Sequence, residues 1–496
     1  MNIRTLFLSL FFLILITLNI SVGIYIVRFN SISSFLYFII MQLFNIGVAY
    51  GLSEMILSLV VKKKNLPKAN KIISFPSVAL LYVTYNDVMP ELLFKLKDQT
   101  YKNYDIFVLD DSTKEKCIEI IDNCGLSVVR RGNRTGFKAG SLNNWLILYG
   151  NKYDYFIIAD SDSAFEKDFI ENIVKYAEHP LNKNIAIFQS KILPWNDKNS
   201  FPRIVGAMAP LAIYFNEKLG NECSTIISWG HNNLHRTGII VAEGGFDENF
   251  VSEDFATCLN LIKKGYECKM VDVLSYEAIP ETVQNYSKRY IRWAKQNLQL
   301  LKLDTREILF TTRLHLFMGI YMYTIWAIIF IGILIAVWGY SSSINDIIIL
   351  FKFIVSGEII NTPFLQPFLL IIFYILNITL LRLPLSLKLG ISMKDYFKNL
   401  LLNIAISSYL MFPLLKAELG TITNAKITFE VTKKGEKPSS IFQIIKEMRM
   451  SILFNIIILI GLINNPVFFF FNFVWLIPFL ASPLIIYSFS ENRHKM

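Results

Sequence analysis

The chain has 496 residues, of which 53% are hydrophobic and 40 are phenylalanine, and its formal net charge is +10 at pH 7. This composition excludes an ordinary soluble globular protein and places much of the chain in lipid. The five cysteines lie in one polar region and none is spaced as CxxC, so neither a disulfide framework nor a zinc site is predicted.

Two apolar stretches near the N-terminus predict transmembrane helices. They run from Leu6 to Val27 and from Ile32 to Val61, and each reaches the length of about 20 apolar residues that crosses a bilayer. The first lacks the small-residue cleavage pattern of a signal peptide, and a second apolar stretch follows it at once. We therefore expect residues 1–67 to form two retained N-terminal spans.

The polar region that follows, residues 68–303, consists of short apolar runs that alternate with helical stretches. Each run is followed by a turn or a polar helix start, which is typical of an open, mostly parallel α/β sheet. In such sheets, ligands bind beyond the carboxyl ends of the strands. The predicted strands are Ser77–Tyr82, Tyr104–Leu109, Leu126–Val129, Tyr155–Ala159 and Ile185–Gln189.

Polar residues follow the first two predicted strands. Thr84, Tyr85 and Asp87 come after the first strand, and Asp110 and Asp111 come after the second. An acidic residue in such a position commonly hydrogen-bonds a nucleoside base or ribose. A helix cap formed by Asp111 or Ser112 is the competing interpretation.

Asp160-Ser161-Asp162 follows the fourth predicted strand. Strand geometry, with its period of two, points both of their side chains the same way. Two such carboxylates hold Mg²⁺ or Mn²⁺ and leave positions free for a diphosphate, because hard cations prefer oxygen ligands. A solvated turn is the alternative for an isolated DxD, and the buried strand before it favours the metal site.

Lys138 lies beside Ala139 and Gly140. Small residues let the backbone approach a diphosphate closely, and the lysine adds a point charge. Taken alone, Lys138 is a surface lysine. Taken with its neighbours, it is a candidate ligand for a diphosphate.

Glu253 and Asp254 open a predicted helix over 255–264 and follow the turn-rich segment Gly244-Gly245-Phe246-Asp247. Acids at a helix N-terminus often serve only the helix dipole. Here the preceding loop is able to present a carboxylate into a cleft. We therefore hypothesise that Asp254 takes the proton from an acceptor hydroxyl.

A predicted amphipathic helix within residues 284–303 carries Arg292 and Trp293 among its charges. Such a helix lies at a membrane surface with its apolar side toward lipid. That explanation accounts for the helix but not for the indole. Because a sugar ring stacks its C–H face on an indole, Trp293 is a candidate site for a carbohydrate.

Apolar stretches resume after the polar region. Two spans are predicted in residues 304–390 and two in residues 448–496, which gives six in all, with seven or eight as the alternative. The predicted spans are Leu314–Trp338, Phe364–Leu381, Ser451–Leu462 and Val467–Tyr487. Leu400–Leu415 is shorter and punctuated, so residues 391–447 are predicted to form a cytoplasmic interfacial helix and a loop.

The distribution of positive charge predicts the orientation in the membrane. Lys62-Lys63-Lys64 follows the second span, and further Lys and Arg lie between Arg382 and Arg449 and at the C-terminus. The positive-inside rule then places both termini and the polar domain in the cytoplasm. Topology and attraction to anionic lipid explain the charge, so no nucleic-acid partner is predicted.

In order along the sequence, the chain carries TYND, DDS, FKAGSLN, DSD, SED, RW and FEVTKKG. This set resembles the membrane-integrated processive glycosyltransferases of family 2, most closely bacterial cellulose synthase catalytic subunits. The resemblance covers residues from about Ser77 to Gly435 and the flanking spans. It implies a GT-A fold inserted between transmembrane helices, a nucleotide-sugar donor, inversion at the anomeric carbon and a polysaccharide threaded across the membrane.

The resemblance also implies a role for each matching residue. The donor-binding residues are Thr84, Tyr85, Asp87, Asp110, Asp111, Lys138, Asp160 and Arg292, and the ligands of Mg²⁺ or Mn²⁺ are Asp160 and Asp162. The catalytic residues are Asp254, as the general base, and the adjacent Glu253. The acceptor residues are Trp293 and Trp229. A gating loop over residues 429–435 has matching positions at Phe429, Val431, Thr432 and Lys434.

The chain departs from the family pattern in three places. Arg289 and Tyr290 replace the first two positions of the Gln-(Gln/Arg)-x-Arg-Trp motif. Trp229-Gly230 replaces the Cys-Gly pair that cellulose synthases have near the acceptor, and Ser163 replaces a His after DxD. These departures indicate a relative of cellulose synthase and leave the sugar and the linkage open.

The expected function is that of an inverting, processive glycosyltransferase in the cell membrane. It would polymerise a nucleotide sugar, expected to be UDP-linked, into a β-linked polysaccharide. One alternative is a glycosyltransferase that adds a single sugar to a polyprenyl-phosphate carrier, which needs neither a stacking Trp nor a gating loop. A second is a transporter or channel whose polar domain senses nucleotide. The sequence names no partner protein.

Overall fold

The computed structural model describes residues 2–26, 32–196, 199–339, 343, 345, 348, 381–422 and 440–490. These residues form two compact units. One unit lies between residues 62 and 316, and the other is helical and draws on residues 1–61, 317–423 and 437–496.

A mixed sheet forms the centre of the first unit. Within the described residues its strands are β1 (Val78–Thr84), β2 (Tyr104–Asp110), β3 (Ser127–Val129), β4 (Tyr155–Asp160), β5 (Ala164–Phe165), β6 (Ile185–Pro194), β7 (Asn233–Arg236) and β8 (Glu267–Glu277). Their order across the sheet is β3-β2-β1-β4-β7-β6-β8-β5. The pairs β2–β3, β1–β2, β1–β4 and β6–β8 are parallel, whereas β4–β7, β6–β7 and β5–β8 are antiparallel.

Both faces of the sheet are buried, which explains why its central strands read as continuous apolar runs. Successive residues of β1 alternate between the faces. Ala79 and Leu81 pack in one core cluster with Trp145, whereas Leu80 and Tyr82 pack in a second cluster. Full burial of a large apolar side chain contributes about 1.5–3 kcal/mol, so the two clusters hold the strand ends in place.

Helices cover both faces of this sheet. The α-helices of the unit are Pro90–Lys95, Glu115–Asp122, Phe137–Tyr149, Phe169–Ala177, Ser200–Gly206, Ala209–Phe215, Asn221–Cys223, Thr237–Ala242, Glu253–Lys263 and Val283–Gln299. Short 3₁₀ turns occur at Gly150–Lys152, Pro180–Asn182 and Leu300–Lys302, and Asn216–Gly220 is a π-helical turn.

The five predicted strands are all present, as β1, β2, β3, β4 and β6, and the predicted α/β class is confirmed. Three strands were not predicted, namely β5, β7 and β8. β7 has the sequence Asn-Leu-His-Arg, and its polar residues Asn233 and His235 are fully buried. β8 alternates buried and partly exposed residues and carries charged side chains. Neither strand therefore shows the apolar run that marks a buried strand.

The second unit is helical. Its helices, together with the one that enters it from the first unit, are Ile3–Ile26, Ile32–Val60, Phe310–Gly339, Arg382–Lys388, Met393–Ile422, Ile441–Glu447, Arg449–Asn464, Pro466–Leu480 and Ser482–Ser490. Within the described residues, three segments are long and apolar enough to cross a membrane, namely Ile3–Ile20, Phe38–Val60 and Met393–Thr421. Two bent helix pairs bring the number to five if each pair is one span.

The helix Met393–Ile422 differs from the sequence prediction. A short interfacial helix was expected around Leu400–Leu415, but the structure has one helix of 30 residues with Pro413 inside it. Asn399, Ser407 and Ser408, which punctuate the apolar pattern, are buried inside the helical unit, so they do not end the helix. The predicted span Phe364–Leu381 lies outside the described residues, apart from its last residue.

Candidate active site

The carboxyl ends of three parallel strands lie side by side in the first unit. Thr84, the last residue of β1, pairs with Asp110, the last residue of β2. On the other side of β1, Val83 pairs with Asp160, the last residue of β4. The strand ends that the sequence analysis singled out therefore form one edge.

Asp160 and Asp162 are presented by a turn. β4 ends at Asp160, the backbone N–H of Ser163 donates to the Asp160 carbonyl at 2.9 Å, and the Asp160 N–H donates to Ser163 Oγ at 3.0 Å. The prediction that strand alternation orients both acids was wrong, because only Asp160 belongs to the strand. The turn, closed by the hydroxyl of Ser163, sets the direction of Asp162 instead.

Asp87 connects the end of β1 to this turn. Its Oδ1 accepts hydrogen bonds from Thr84 Oγ1 at 2.9 Å and from the Tyr85 N–H at 3.0 Å. Its Oδ2 accepts a hydrogen bond from Ser161 Oγ at 2.6 Å. The Thr84 side chain therefore orients Asp87, and Asp87 fixes the Ser161 side chain between the two predicted metal ligands.

Asp110 and Asp111 are both engaged by arginines. The fully buried Asp110 side chain accepts from Arg130 Nε at 2.8 Å. Asp111 accepts from Arg131 Nε at 2.8 Å and from Arg131 Nη2 at 2.5 Å, which is a bidentate pair. These pairs supply a structural role for both acids, and their predicted contacts with a nucleoside stay a prediction.

Tyr85 presents an aromatic ring at the same edge. The guanidinium of Arg134 lies over this ring at 3.4 Å from its centroid, and it also lies 5.2 Å from the ring of Phe137. Cation–π contacts of this kind contribute about 0.5–1 kcal/mol at exposed sites and more when desolvated. The structure thus places a planar cation and a ring next to the predicted nucleoside residues.

Lys138 joins two parts of the site. Its Nζ donates to Asp160 Oδ1 at 2.5 Å and to the carbonyl of Gly230 at 3.0 Å. Burial by itself lowers the pKa of Lys138, but the charges of Asp160 and Glu253 outweigh it, and the net pKa is raised. Lys138 is therefore a fixed cation between the end of β4 and the loop before β7.

Gly230 brings this loop against the predicted base. Its φ is +84°, in the left-handed region that favours glycine. A Cβ at this position would lie 2.6 Å from Asp254 Oδ2. The absence of a side chain is thus what lets the backbone approach the carboxylate of Asp254.

Glu253 and Asp254 begin the helix Glu253–Lys263. Burial and the charge of Asp254 raise the pKa of Glu253 to about 8. Burial also raises the pKa of Asp254, although the Phe255 N–H, which donates to Asp254 Oδ1 at 2.9 Å, and the charge of Lys138 oppose it. Burial therefore disfavours the charged form of both acids, while the Phe255 N–H and Lys138 favour the charged form of Asp254.

The predicted acceptor residues lie in this unit as well. Trp293, on the helix Val283–Gln299, is half-buried, and the guanidinium of Arg289 lies 4.6 Å from the centroid of its ring. Burial and the charge of Arg289 lower the pKa of Arg292, and the charges of Asp160 and Glu253 oppose this shift. Arg292 thus shares an electrostatic environment with Asp160, at the end of β4, and with Glu253, at the start of its helix.

Trp229 precedes Gly230 in the loop before β7. Its N–H donates to Gln189 Oε1 at 2.8 Å, and its ring packs against the core as a partly buried side chain. The loop that carries Trp229 is therefore the one that accepts the hydrogen bond from Lys138.

The sequence did not predict His231 and Glu277, which also lie in this site. His231 Nε2 lies 3.1 Å from Glu277 Oε2, and its Nδ1 lies 3.8 Å from Asp160 Oδ2. Burial lowers the pKa of His231, but Asp160 and the hydrogen bond with Glu277 raise it to a net value of about 9. Arg289 Nη1 lies 3.9 Å from the other oxygen of Glu277. The only sequence signal was the position of His231 directly after Trp229-Gly230.

The predicted gating loop lies outside the described residues, and with it Phe429, Val431, Thr432 and Lys434. Over the part of the chain that the structure describes, no group of three or more His, Cys, Asp or Glu side chains is arranged to hold a metal ion.

Comparison with curated proteins finds glucan-synthesis enzymes among the relatives. The chain is 28% identical over 301 residues to glucans biosynthesis glucosyltransferase H of Bradyrhizobium diazoefficiens, covering 52% of this chain and 39% of that protein. It is 27% identical over 307 residues to the protein of the same name from Rhodopseudomonas palustris, covering 53% and 42%. The chain thus spans about two fifths of the length of these relatives.

Among solved structures, the chain is similar to a mannosyltransferase from Pyrobaculum calidifontis in complex with GDP-Man and Mn²⁺. The TM-score is 0.48 at 18% sequence identity, over 69% of this chain and 98% of that one.

Two protein-family models match the chain across the sheet and beyond it. Residues 80–228 match the model described as glycosyl transferase family 2, and residues 155–383 match glycosyl transferase family group 2. The matches contain the strand ends, Lys138, the Asp160–Asp162 turn, Asp254 and Trp293. The chain therefore carries regions that match family 2 glycosyltransferase domains, between residues 80 and 383, and these regions contain nearly all of the α/β sheet.

Proposed function

We propose that the protein is an inverting, processive glycosyltransferase that polymerises a nucleotide-activated sugar, UDP-linked, into a β-linked polysaccharide and passes it across the membrane. The observation that supports this most strongly is the contact of Lys138 with both Asp160 and the Gly230 carbonyl. Because Gly230 also packs against Asp254, this contact joins the predicted donor carboxylate, a cation and the predicted base in one site.

Asp254 is the general base of the proposed reaction. It removes the proton from the acceptor hydroxyl while the acceptor oxygen forms a bond to the anomeric carbon. The bond from that carbon to the nucleoside diphosphate breaks in the same step, which inverts the configuration. The Phe255 N–H and the charge of Lys138 favour the ionised form of Asp254 that this step requires. A positioned base of this kind typically contributes about 10²–10⁴-fold in rate.

The donor diphosphate requires positive charge and hard-cation chemistry. Lys138 and Arg292 share the electrostatic environment of Asp160 and would contact the diphosphate. The carboxylates Asp160 and Asp162 fit Mg²⁺ or Mn²⁺, because oxygen ligands from one turn leave coordination positions for phosphate oxygens. Such a cation would neutralise charge on the departing diphosphate.

The acceptor end of the polymer would stack on Trp293, and Trp229 would lie near it. Processive synthesis needs a site that keeps the product after each addition, and a stacked sugar ring supplies one. The gating loop and the transfer of product through the helical unit are part of the same proposal, with the catalytic unit in the cytoplasm as the charge distribution predicts.

Glucose is the first sugar to test, because the curated relatives are named glucosyltransferases of glucan biosynthesis. Detergent-purified protein would be incubated with radiolabelled UDP-glucose and other nucleotide sugars in the presence of Mg²⁺ or Mn²⁺. We expect nucleotide release together with a high-mass product whose linkage is β.

Other products would contradict this proposal. A single-sugar lipid that partitions into organic solvent would identify a transferase acting on a lipid carrier. Absence of transfer from every nucleotide sugar, combined with solute flux through the reconstituted protein, would identify a transporter.

A further inference from the structure

Glu277, the last residue of β8, contacts the Asp160–Asp162 turn by two separate routes. Neither the motifs of the sequence nor the roles given above include Glu277. Its side chain reaches Asp160 through His231, and its backbone reaches Asp162 through Trp195.

The side-chain route depends on the orientation of the His231 ring. Nε2 lies 3.1 Å from Glu277 Oε2, and Nδ1 lies 3.1 Å from the carbonyl of Trp229. Both ring nitrogens thus face oxygen acceptors, which fixes the plane of the ring. In this orientation Nδ1 lies 3.8 Å from Asp160 Oδ2, while Lys138 binds the other oxygen of Asp160.

The backbone route runs along the end of β6. The N–H of Trp195 donates to the Glu277 carbonyl at 3.0 Å, directly after the residue pair Pro194 and Glu277 in the β6–β8 register. The indole Nε1 of Trp195 then donates to the Asp162 carbonyl at 3.0 Å. The end of β8 therefore contacts Asp162 through Trp195, as it contacts Asp160 through His231.

We propose that Glu277, acting through His231 and Trp195, is a positioning residue that fixes the Asp160–Asp162 turn for a divalent cation and the donor diphosphate. This inference rests on the proposed function. Residues that orient the ligands of a metal typically change metal affinity by about 10–100-fold when they are replaced.

A role of Glu277 in stability alone does not explain why its contacts reach the predicted metal ligands and the predicted acceptor residue. Glu277 is also 3.9 Å from Arg289, whose guanidinium lies over the Trp293 ring. The two acids that the contacts orient are the predicted metal ligands rather than residues of the core clusters. Glu277 thus lies between the predicted donor and acceptor residues.

The test measures Mn²⁺ binding by the full chain in detergent, with UDP as the nucleotide probe, by electron paramagnetic resonance of free Mn²⁺. Glu277→Gln keeps the shape of the side chain and removes its charge, and Trp195→Phe removes the indole N–H that donates to the Asp162 carbonyl. We expect each variant to weaken Mn²⁺ binding by about 10–100-fold, with a melting temperature close to that of the wild type.

Glu178→Gln is the matched control. Glu178 accepts a hydrogen bond from Tyr155 at 2.5 Å, at the opposite end of β4 from Asp160, so this variant should bind Mn²⁺ as the wild type does. If Glu277→Gln does not fold, Trp195→Phe decides the question.

Wild-type Mn²⁺ affinity in the folded variants would overturn the positioning role and leave the proposed function standing. Failure of the wild type itself to bind Mn²⁺ with UDP would instead count against the proposed function.

Discussion

Glu253 and Asp254 are adjacent in the sequence but differ in their surroundings. Glu253 is buried and has a pKa of about 8, whereas Asp254 is partly accessible and accepts a hydrogen bond from the Phe255 N–H. Two neighbouring carboxyl groups do not ionise together readily, because the negative charge of one disfavours the charged form of the other. The Phe255 N–H and the charge of Lys138 favour the ionised form of Asp254, which is the form that acts as a base.

The raised pKa of Glu253 predicts how its removal changes stability with pH. Between 4.5 and about 8 the folded protein holds a proton on Glu253 that the unfolded chain releases, so this group lowers stability progressively as pH rises through that window. Glu253→Gln should therefore raise the melting temperature, relative to the wild type, by more at pH 8 than at pH 5. Thermal unfolding at both pH values measures this, and an equal shift at the two would refute the assignment.

Gly230 provides a second test at the residue scale. Gly230→Ala forces an L residue to φ +84° and puts its Cβ 2.6 Å from Asp254 Oδ2, so the base must move. The backbone strain costs about 1–3 kcal/mol, and a displaced catalytic group lowers the rate by about 10²-fold. Turnover and thermal unfolding measure the two effects.

Gly238→Ala is the control for Gly230→Ala. A Cβ at Gly238 meets no atom within 4 Å, and its φ is not positive, so turnover should stay at the wild-type level. Full activity in Gly230→Ala would show that Asp254 is not held against this loop.

The sequence predicted the acids that lie in the candidate site, but it did not predict His231, which lies 3.8 Å from Asp160, or Glu277, which contacts His231. Asp160 and Asp254 stand next to recognisable local patterns. His231 and Glu277 are 46 positions apart, and their contact depends on the pairing of β6 with β7 and β8. No local sequence pattern connects residues that are so far apart along the chain, so only the folded structure shows that they are in contact.

At the scale of elements, apolar runs predicted the strands that are buried on both faces. Strands with polar or alternating residues were not predicted. β1 and β4 were predicted because their apolar residues fill both core clusters, although β1 ends at Thr84 and β4 at Asp160, beyond the predicted ends at Tyr82 and Ala159. β8 is partly exposed to solvent on one face and carries charged residues there, so it lacks the apolar run by which a buried strand is recognised. The prediction that Asp162 continues β4 was wrong for a related reason. Apolar residues indicate where a strand runs, but they do not indicate that the hydroxyl of Ser163 closes a turn directly after it.

The helix Val283–Gln299 can be tested through Trp293, the residue proposed to bind the acceptor end of the polymer. Trp293→Ala removes the ring on which the acceptor sugar is proposed to stack, and such stacking acts on the polymer rather than on the donor. We expect shorter products and slower elongation, with donor-dependent nucleotide release and the donor KM much less affected. Product length by gel filtration, compared with nucleotide release, measures this.

Trp293→Phe retains an aromatic face and should keep more of the wild-type product length than Trp293→Ala. If Trp293→Ala lost elongation and nucleotide release to the same degree, its role would lie in the shared chemistry or in folding rather than with the acceptor.

At the scale of the whole molecule, one chain combines an α/β unit that carries the candidate chemistry with a helical unit whose helices have the length and composition of membrane spans. The sequence predicted this combination from the contrast between its polar and apolar regions. It did not predict the 30-residue helix Met393–Ile422, because polar residues that are buried between helices look like interruptions in a hydropathy pattern.

The central claim is that Asp254 acts as a base toward an acceptor while other groups hold the donor. The most direct test measures sugar transfer and nucleotide binding side by side in detergent-purified wild type and Asp254→Asn. We expect the variant to lose transfer by at least about 10²-fold and to bind UDP in the presence of Mn²⁺ with nearly wild-type affinity. Transfer at the wild-type rate, or loss of UDP binding in a variant that is still folded, would contradict it.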